Sequence, residues 1–166
     1  MANIQDVRTI QTPQFSYQWE IEISGLASGG LGAMAAYAKT VSIPQTAVEQ
    51  VVINHKSSKT HFAGRDSSAK TVTITFWDDE AATIQNYFDS WMRLIREPLT
   101  GSQVSREVYQ SDLIIRLRNS SDDTTTATYT MTKAFPTDMA DVSLSYDSSE
   151  PVEISVTLSF DEKLLS

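Results

Sequence analysis

The run from Val152 to Phe160 sets the strongest limit on the fold. Val152, Ile154, Val156, Leu158 and Phe160 are apolar, and Glu153, Ser155, Thr157 and Ser159 between them are polar. Strand side chains point alternately to opposite faces, so this run buries its apolar set only as a strand covered on one side. The same pattern places Val72, Ile74 and Phe76 opposite Thr71, Thr73 and Thr75, and Tyr17, Trp19, Ile21 and Ile23 opposite Gln18, Glu20 and Glu22. "DLIIRLRN", "TTATYTMTKA" and "DVSLSYD" predict further strands, with "SSDDT" and "DSSEP" as connecting turns. "MAAYAKTVSI" and "TAVEQVVIN" are two more apolar segments, parted by Pro44, which cannot donate to a sheet ladder. "SGLASGGLG", with four glycines and two serines, predicts a flexible hairpin loop.

A single segment changes period. Ala81, Ile84, Tyr87, Phe88, Trp91, Leu94 and Ile95 recur every three or four residues, which predicts a helix at about residues 79–96. Asp78 or Asp79 can accept the free N–H groups at its start, Glu80 complements the dipole there, and Pro98 ends it. Many antiparallel strands with one helix predict a mainly β fold, a β-sandwich or barrel with a flanking helix. At 166 residues, residues 1–166 are expected to form a single domain.

The chain has no cysteine, which removes disulfides, thiolate nucleophiles and cysteine-ligated metals and suits a reducing cytoplasm during folding. "MANIQDVRTIQTPQF" lacks the basic and apolar regions of an export signal, and no run nears the roughly 20 apolar residues of a membrane span. With 21 acids against 13 bases and a net charge of −8, the surface is expected to repel nucleic acid rather than grip it.

The residues that could carry chemistry gather in "HKSSKTHFAGR". His55 and His61 would share a face on one strand, but no carboxylate joins them, and Lys56 and Lys59 would repel a cation. No G-x-S-x-G marks a nucleophilic serine. The acids of "WDDE" are accounted for by helix capping. Lys56, Lys59, Arg65 and Lys70 could meet phosphates, but Phe62 alone is a poor stacking platform. These observations predict a protein that is not an enzyme and needs no metal or cofactor.

Charge distribution offers a different use. Between Ser111 and Ser166 ten acids face four bases, leaving −6, whereas the segment at 55–65 is positive. The basic set His55, Lys56, Lys59, His61, Phe62 and Arg65 is thus a candidate contact between subunits or rings. Asp138, Asp141, Asp147, Glu150 and Glu153 are candidates for the acidic surface it meets, or for the lumen that the resemblance given below implies.

The order of these features resembles the tail tube proteins of contractile-tailed bacteriophages across nearly the whole chain. The resemblance rests on three stretches. "PTD" at 136–138 leads through Leu144, Tyr146, Asp147 and Ser148 to the long final strand. "TVTITFWDDEAATIQNYFDSWM" is similar to the family's strand, acidic cap and helix with Phe88 and Trp91, and "HFAGR" to its basic hairpin. The resemblance implies a structural subunit whose hexameric rings stack into a hollow tube with a continuous strand-built lumen. It implies as partners other copies of the chain, the sheath, the tape measure protein, and baseplate and tail terminator proteins, with DNA passing through unbound. It also implies a place in the virion after synthesis in the host cytoplasm, with no membrane involved. A type VI secretion or phage-like bacteriocin tube is the nearest alternative. A monomeric carbohydrate-binding module using Trp19, Trp77 or Trp91, or a small hydrolase, is the alternative of a different class.

Overall fold

A computed structural model of the chain describes residues 14–24, 34–119, 122–147 and 149–166. Its strands are β1 (Trp19–Ser24), β2 (Ala38–Ser42), β3 (Val48–His55), β4 (Ser58–Asp66), β5 (Thr71–Trp77), β6 (Ser111–Arg118), β7 (Thr125–Met139), β8 (Glu153–Ser159) and β9 (Glu162–Leu165). Its helices are α1 (Met34–Tyr37), α2 (Thr83–Ile95) and α3 (Arg106–Tyr109). The strands pair antiparallel in the order β1-β6-β7-β8-β5-β2, β9 lies beside β7, and β3 and β4 form a separate ribbon.

The two layers are made by one strand that turns a corner. The first part of β7, to Ala134, pairs with β6 and β9, and its last part, Phe135–Met139, pairs with β8. The register Thr132 to Glu162 continues unshifted into Phe135 to Ser159, so β8 and β9 together form one bent partner for β7. At the bend Lys133 has φ 55, and the β6–β7 register shifts between Ser111 and Leu113. This is a bulge, which bends a strand by inserting an extra residue. The Asp112 carboxylate accepts from the Lys133 N–H at 3.0 Å, satisfying the donor that the bulge takes off the ladder.

Folding the sheet brings two apolar faces together. Ile21, Ile23, Leu113, Ile115 and Met131 from one half and Val72, Ile74, Phe76, Ile154, Val156 and Leu158 from the other belong to one buried cluster. Helix α2 covers it with Ile84, Phe88 and Trp91; the Phe88 ring lies 5.5 Å from Phe76 and 6.1 Å from Trp91. Trp91 Nε1 donates to the Tyr109 carbonyl at 2.7 Å, tying α2 to α3. Tyr87 stacks edge-on to Phe88 and Trp91, and its buried hydroxyl has no partner among the described residues; burial pushes its pKa up to about 12.

Several expectations need correction. The helix starts at Thr83 rather than 79, because Ala82 takes a left-handed φ of 53 and the preceding residues form a turn. Both candidate acids cap it: Asp79 accepts from Thr83 N–H at 2.9 Å and Asp78 from Ile84 N–H at 3.0 Å. Tyr17 lies outside β1 and is exposed, Leu94 faces solvent, and Val152 precedes β8 half-exposed. "DVSLSYD" is not a strand but part of a long connection between β7 and β8, since no neighbouring strand offers it a ladder. Of the glycine-rich loop "SGLASGGLG", only Ser24 lies within the described residues.

Two consequences are measurable by urea denaturation. Trp91→Phe keeps the ring packing but strips the Tyr109 carbonyl of its buried donor, and is expected to cost about 1–3 kcal/mol. At the corner, Lys133→Gly is expected to change stability little, whereas the β-branched Lys133→Val is expected to cost about 1–2 kcal/mol because it resists the left-handed backbone.

Candidate assembly surfaces

"HKSSKTHFAGR" forms most of a projecting hairpin. His55 ends β3, Lys56 and Ser57 make the turn with Lys56 at φ 50, and β4 runs from Ser58. All of β3 is exposed, and so is β4 apart from Gly64. Cross-strand partners share a face, so Val51 opposite Phe62 and Ile53 opposite Thr60 form an apolar face. Asn54 opposite Lys59 and Val52 opposite His61 form the other. His55 faces Ser58, three residues from His61, so the two histidines lie on opposite faces and cannot share a metal ion.

Gly64 sits near the base of the ribbon and not at its tip. The register shifts there between Val48 and Gln50, and a Cβ on Gly64 would come within 2.9 Å of the Glu49 carbonyl oxygen, so only glycine fits without a backbone shift. Below it the two legs of the ribbon are tied to each other. Ser67 N–H donates to the Ala47 carbonyl and Ala47 N–H to Ser68 Oγ, both at 2.9 Å. Asp66 accepts from the Ser68 hydroxyl and N–H and from Lys70, which together pull its carboxyl from 3.8 down to about 2. The depressed value means that this tie is at full strength above about pH 4 and is lost as pH falls toward 2.

The acidic candidates divide. Asp141, Glu150 and Glu153 line one cavity of about 720 Å³ in the 140–152 connection, together with Leu144, Tyr146 and Val152. Asp138 stands exposed on β7, and Asp147 lies in the same connection but not in the cavity wall. Glu153 is held by Lys39, which also lies 6.0 Å over the Trp77 ring. The apolar wall was hidden in the sequence, because Val142, Leu144 and Tyr146 alternate as a strand would. Leu144 and Tyr146 are exposed, whereas only Val142 packs on the core.

The basic and acidic sets are not brought together within one chain. The hairpin leaves the body between Ser42 and Thr71, while the cavity sits beside Trp77 and Glu153, which pair at the far end of β5 and β8. Seven paired residues, about 20 Å of strand, lie between them.

Two outward faces went unread in the sequence. On β1 and β6, Glu20 and Glu22 hold Arg116, and Glu20 and Asp123 hold Arg118, so these arginines are spent inside the chain. On β5 and β8 the face is hydroxyl: Thr75 meets Ser155 at 2.9 Å and Thr73 meets Thr157 at 3.3 Å. Among the described residues no cluster of His, Cys, Asp or Glu could hold a metal ion, and no helix is long and apolar enough to cross a membrane. Trp91 is buried, Trp19 packs on the core, and Trp77 is partly exposed beneath Lys39, so these three tryptophans do not form one exposed platform.

No curated protein matches the chain. Among solved structures, it is similar to a chain of the extracellular contractile injection system PVC, from its sheath/tube terminator in the extended state. The TM-score is 0.72 at 16% identity, covering 95% of this chain and 99% of that one. A chain of the anti-feeding prophage tube-terminating cap gives TM-score 0.67 at 15% identity, covering 100% and 99%. The SPP1 tail tube gives 0.59 at 11%, covering 93% and 79%. At these identities the likeness speaks for the fold. A family model described as phage tail tube protein matches residues 10–164. With nearly its whole length matched, the chain belongs to the phage tail tube protein family, whose members are structural subunits.

Proposed function

We propose that copies of this chain form hexameric rings that stack into a hollow tube, enclosing a tape measure protein during assembly and conducting DNA to the host inside a contractile sheath. The observation that carries this reading is the β3–β4 ribbon. A two-stranded hairpin is marginal in water, and this one displays Val51, Ile53 and Phe62 together with cations that no ion pair uses among the described residues. Such a ribbon is completed by another molecule, and in a self-assembling subunit that molecule is a further copy. The outer edges of β1 and β2 have no strand partner among the described residues, which suits sheet continuation between subunits of a ring. Asp138 and the hydroxyl face of β5 and β8 suit a bore, because neither clamps a phosphate. Sheath, baseplate and terminator proteins are the expected partners along and at the ends of the tube.

A second reading, the tube of an injection system that passes protein, draws on the likeness to the PVC and anti-feeding prophage chains. DNA packaged in particles that carry this subunit separates the two, because a protein-passing machine contains none.

In negative-stain micrographs the concentrated protein is expected to give uniform rings or tubes; a monomer that persists with tail initiator proteins present would contradict the proposal. Replacing Lys56, Lys59 and Arg65 with glutamate is expected to leave the circular dichroism spectrum unchanged and to raise the critical concentration at least about tenfold, or about 1.4 kcal/mol. An unaltered critical concentration would remove the hairpin from the contact.

A further inference from the structure

We propose that the last strand, β9, is a strap that fixes the direction in which the β3–β4 ribbon leaves the body, with Lys163 as its positioning residue. Every contact in the strap lies within one chain, so it stands apart from the self-assembly reading.

The ribbon needs such a device because its strands do not rest on the body. β3 and β4 pair with each other and not with the seven-stranded sheet, and apart from Gly64 every residue of both is exposed. Their direction is therefore decided in the two legs, residues 43–47 and 67–70, and each leg meets the junction of β8 and β9. The Phe160 N–H donates to the Lys70 carbonyl at 3.0 Å, at the foot of the second leg. Three residues further on, Lys163 Nζ donates to the Pro44 carbonyl at 2.5 Å, at the foot of the first. The bonds of Ala47 with Ser67 and Ser68 join leg to leg and close the frame.

The setting of Lys163 singles it out. It pairs with the fully buried Met131, so its side chain leaves β9 on the face that the core occupies, where an apolar residue is the ordinary choice. The ammonium stands 6.0 Å over the Tyr129 ring and turns its proton to a carbonyl of a different segment. Pro44 suits the receiving end, because proline fixes its own φ and offers a carbonyl without an N–H.

β9 adds little to the core, with Leu164 and Leu165 53% and 62% exposed, so its place in the fold is better accounted for by what it holds. It is itself fastened to β7 by the Thr128 and Ser166 backbone bonds at 2.8 and 3.0 Å, so a pull on the first leg passes through Lys163 into that ladder. A projecting element of fixed direction gives up less conformational freedom on being covered than a free one.

The chain has no cysteine, so nitroxide labels can be placed on Thr60→Cys in β4 and Gln85→Cys in α2, both exposed positions. The distance between them is read by pulsed electron paramagnetic resonance on unassembled protein. With Lys163 in place a single narrow distribution is expected. Lys163→Met keeps the stem beside Met131 but removes the donor, and is expected to broaden the distribution at least about twofold with the circular dichroism spectrum unchanged. Lys163→Gln, still polar but too short to reach Pro44, is the second variant and is expected to broaden it alike. Lys163→Arg, which still carries donors on a long stem, is expected to keep it narrow. A distribution that is broad with Lys163 in place, or that stays narrow in Lys163→Met or Lys163→Gln, overturns the strap.

Discussion

The corner at Lys133 is the constraint on which the rest of the structure depends. A sheet of this length buries its apolar face only by folding on itself, and here the fold is made inside the β7 and β8–β9 pair rather than by a loop between two sheets. The pairing keeps one register from Thr132–Glu162 to Phe135–Ser159 before it shifts between Pro136 and Asp138, and Asp161 N–H donates to the Thr132 carbonyl at 3.0 Å within the turn. The left-handed residue and its Asp112 acceptor are the local cost of one uninterrupted core. Arg106, whose Nη2 donates to both Asp161 carboxylate oxygens at 2.6 and 2.7 Å, and Lys133 at 3.7 Å from the same carboxylate brace the outside of the bend.

With the body closed in this way, what remains outside it is informative. The β1–β6 face is internally charge-paired and the β5–β8 face internally hydrogen-bonded, so both are complete as they stand. The hairpin is not, because Val51, Ile53 and Phe62 stand exposed on it and its Lys56, Lys59 and Arg65 enter no ion pair among the described residues. Arg116 and Arg118 are paired on the sheet, whereas among the described residues Lys56, Lys59 and Arg65 on the hairpin, and Arg96 at the end of α2, enter no ion pair.

What the sequence made legible follows from how local each signal is. β5 and β8 alternate cleanly because each has one buried and one exposed face, and α2 shows its stripe because Ile84, Phe88 and Trp91 all meet the same core. The charge contrast between residues 55–65 and the last third also survives folding, since both sets end up exposed. The features that escaped are those set by a distant neighbour. Nothing beside Gly64 in the sequence shows that Glu49 lies against it, and the corner has no glycine to mark it, only a lysine whose backbone is held by Asp112.

The connection between β7 and β8 shows why alternation alone does not decide a strand. Val142, Leu144 and Tyr146 repeat every second residue as strongly as Val72, Ile74 and Phe76, yet the second set has β2 and β8 on its flanks and the first has no ladder to join. An extended segment without a partner exposes backbone groups that water must satisfy, so it gains nothing from strand geometry. Its apolar residues then have two fates: Val142 folds back to the core, and Leu144 and Tyr146 wall a cavity rimmed with acids. The pattern that mimics a strand in the sequence is, in the folded chain, one valine packed on the core and two exposed side chains beside an acid-rimmed cavity.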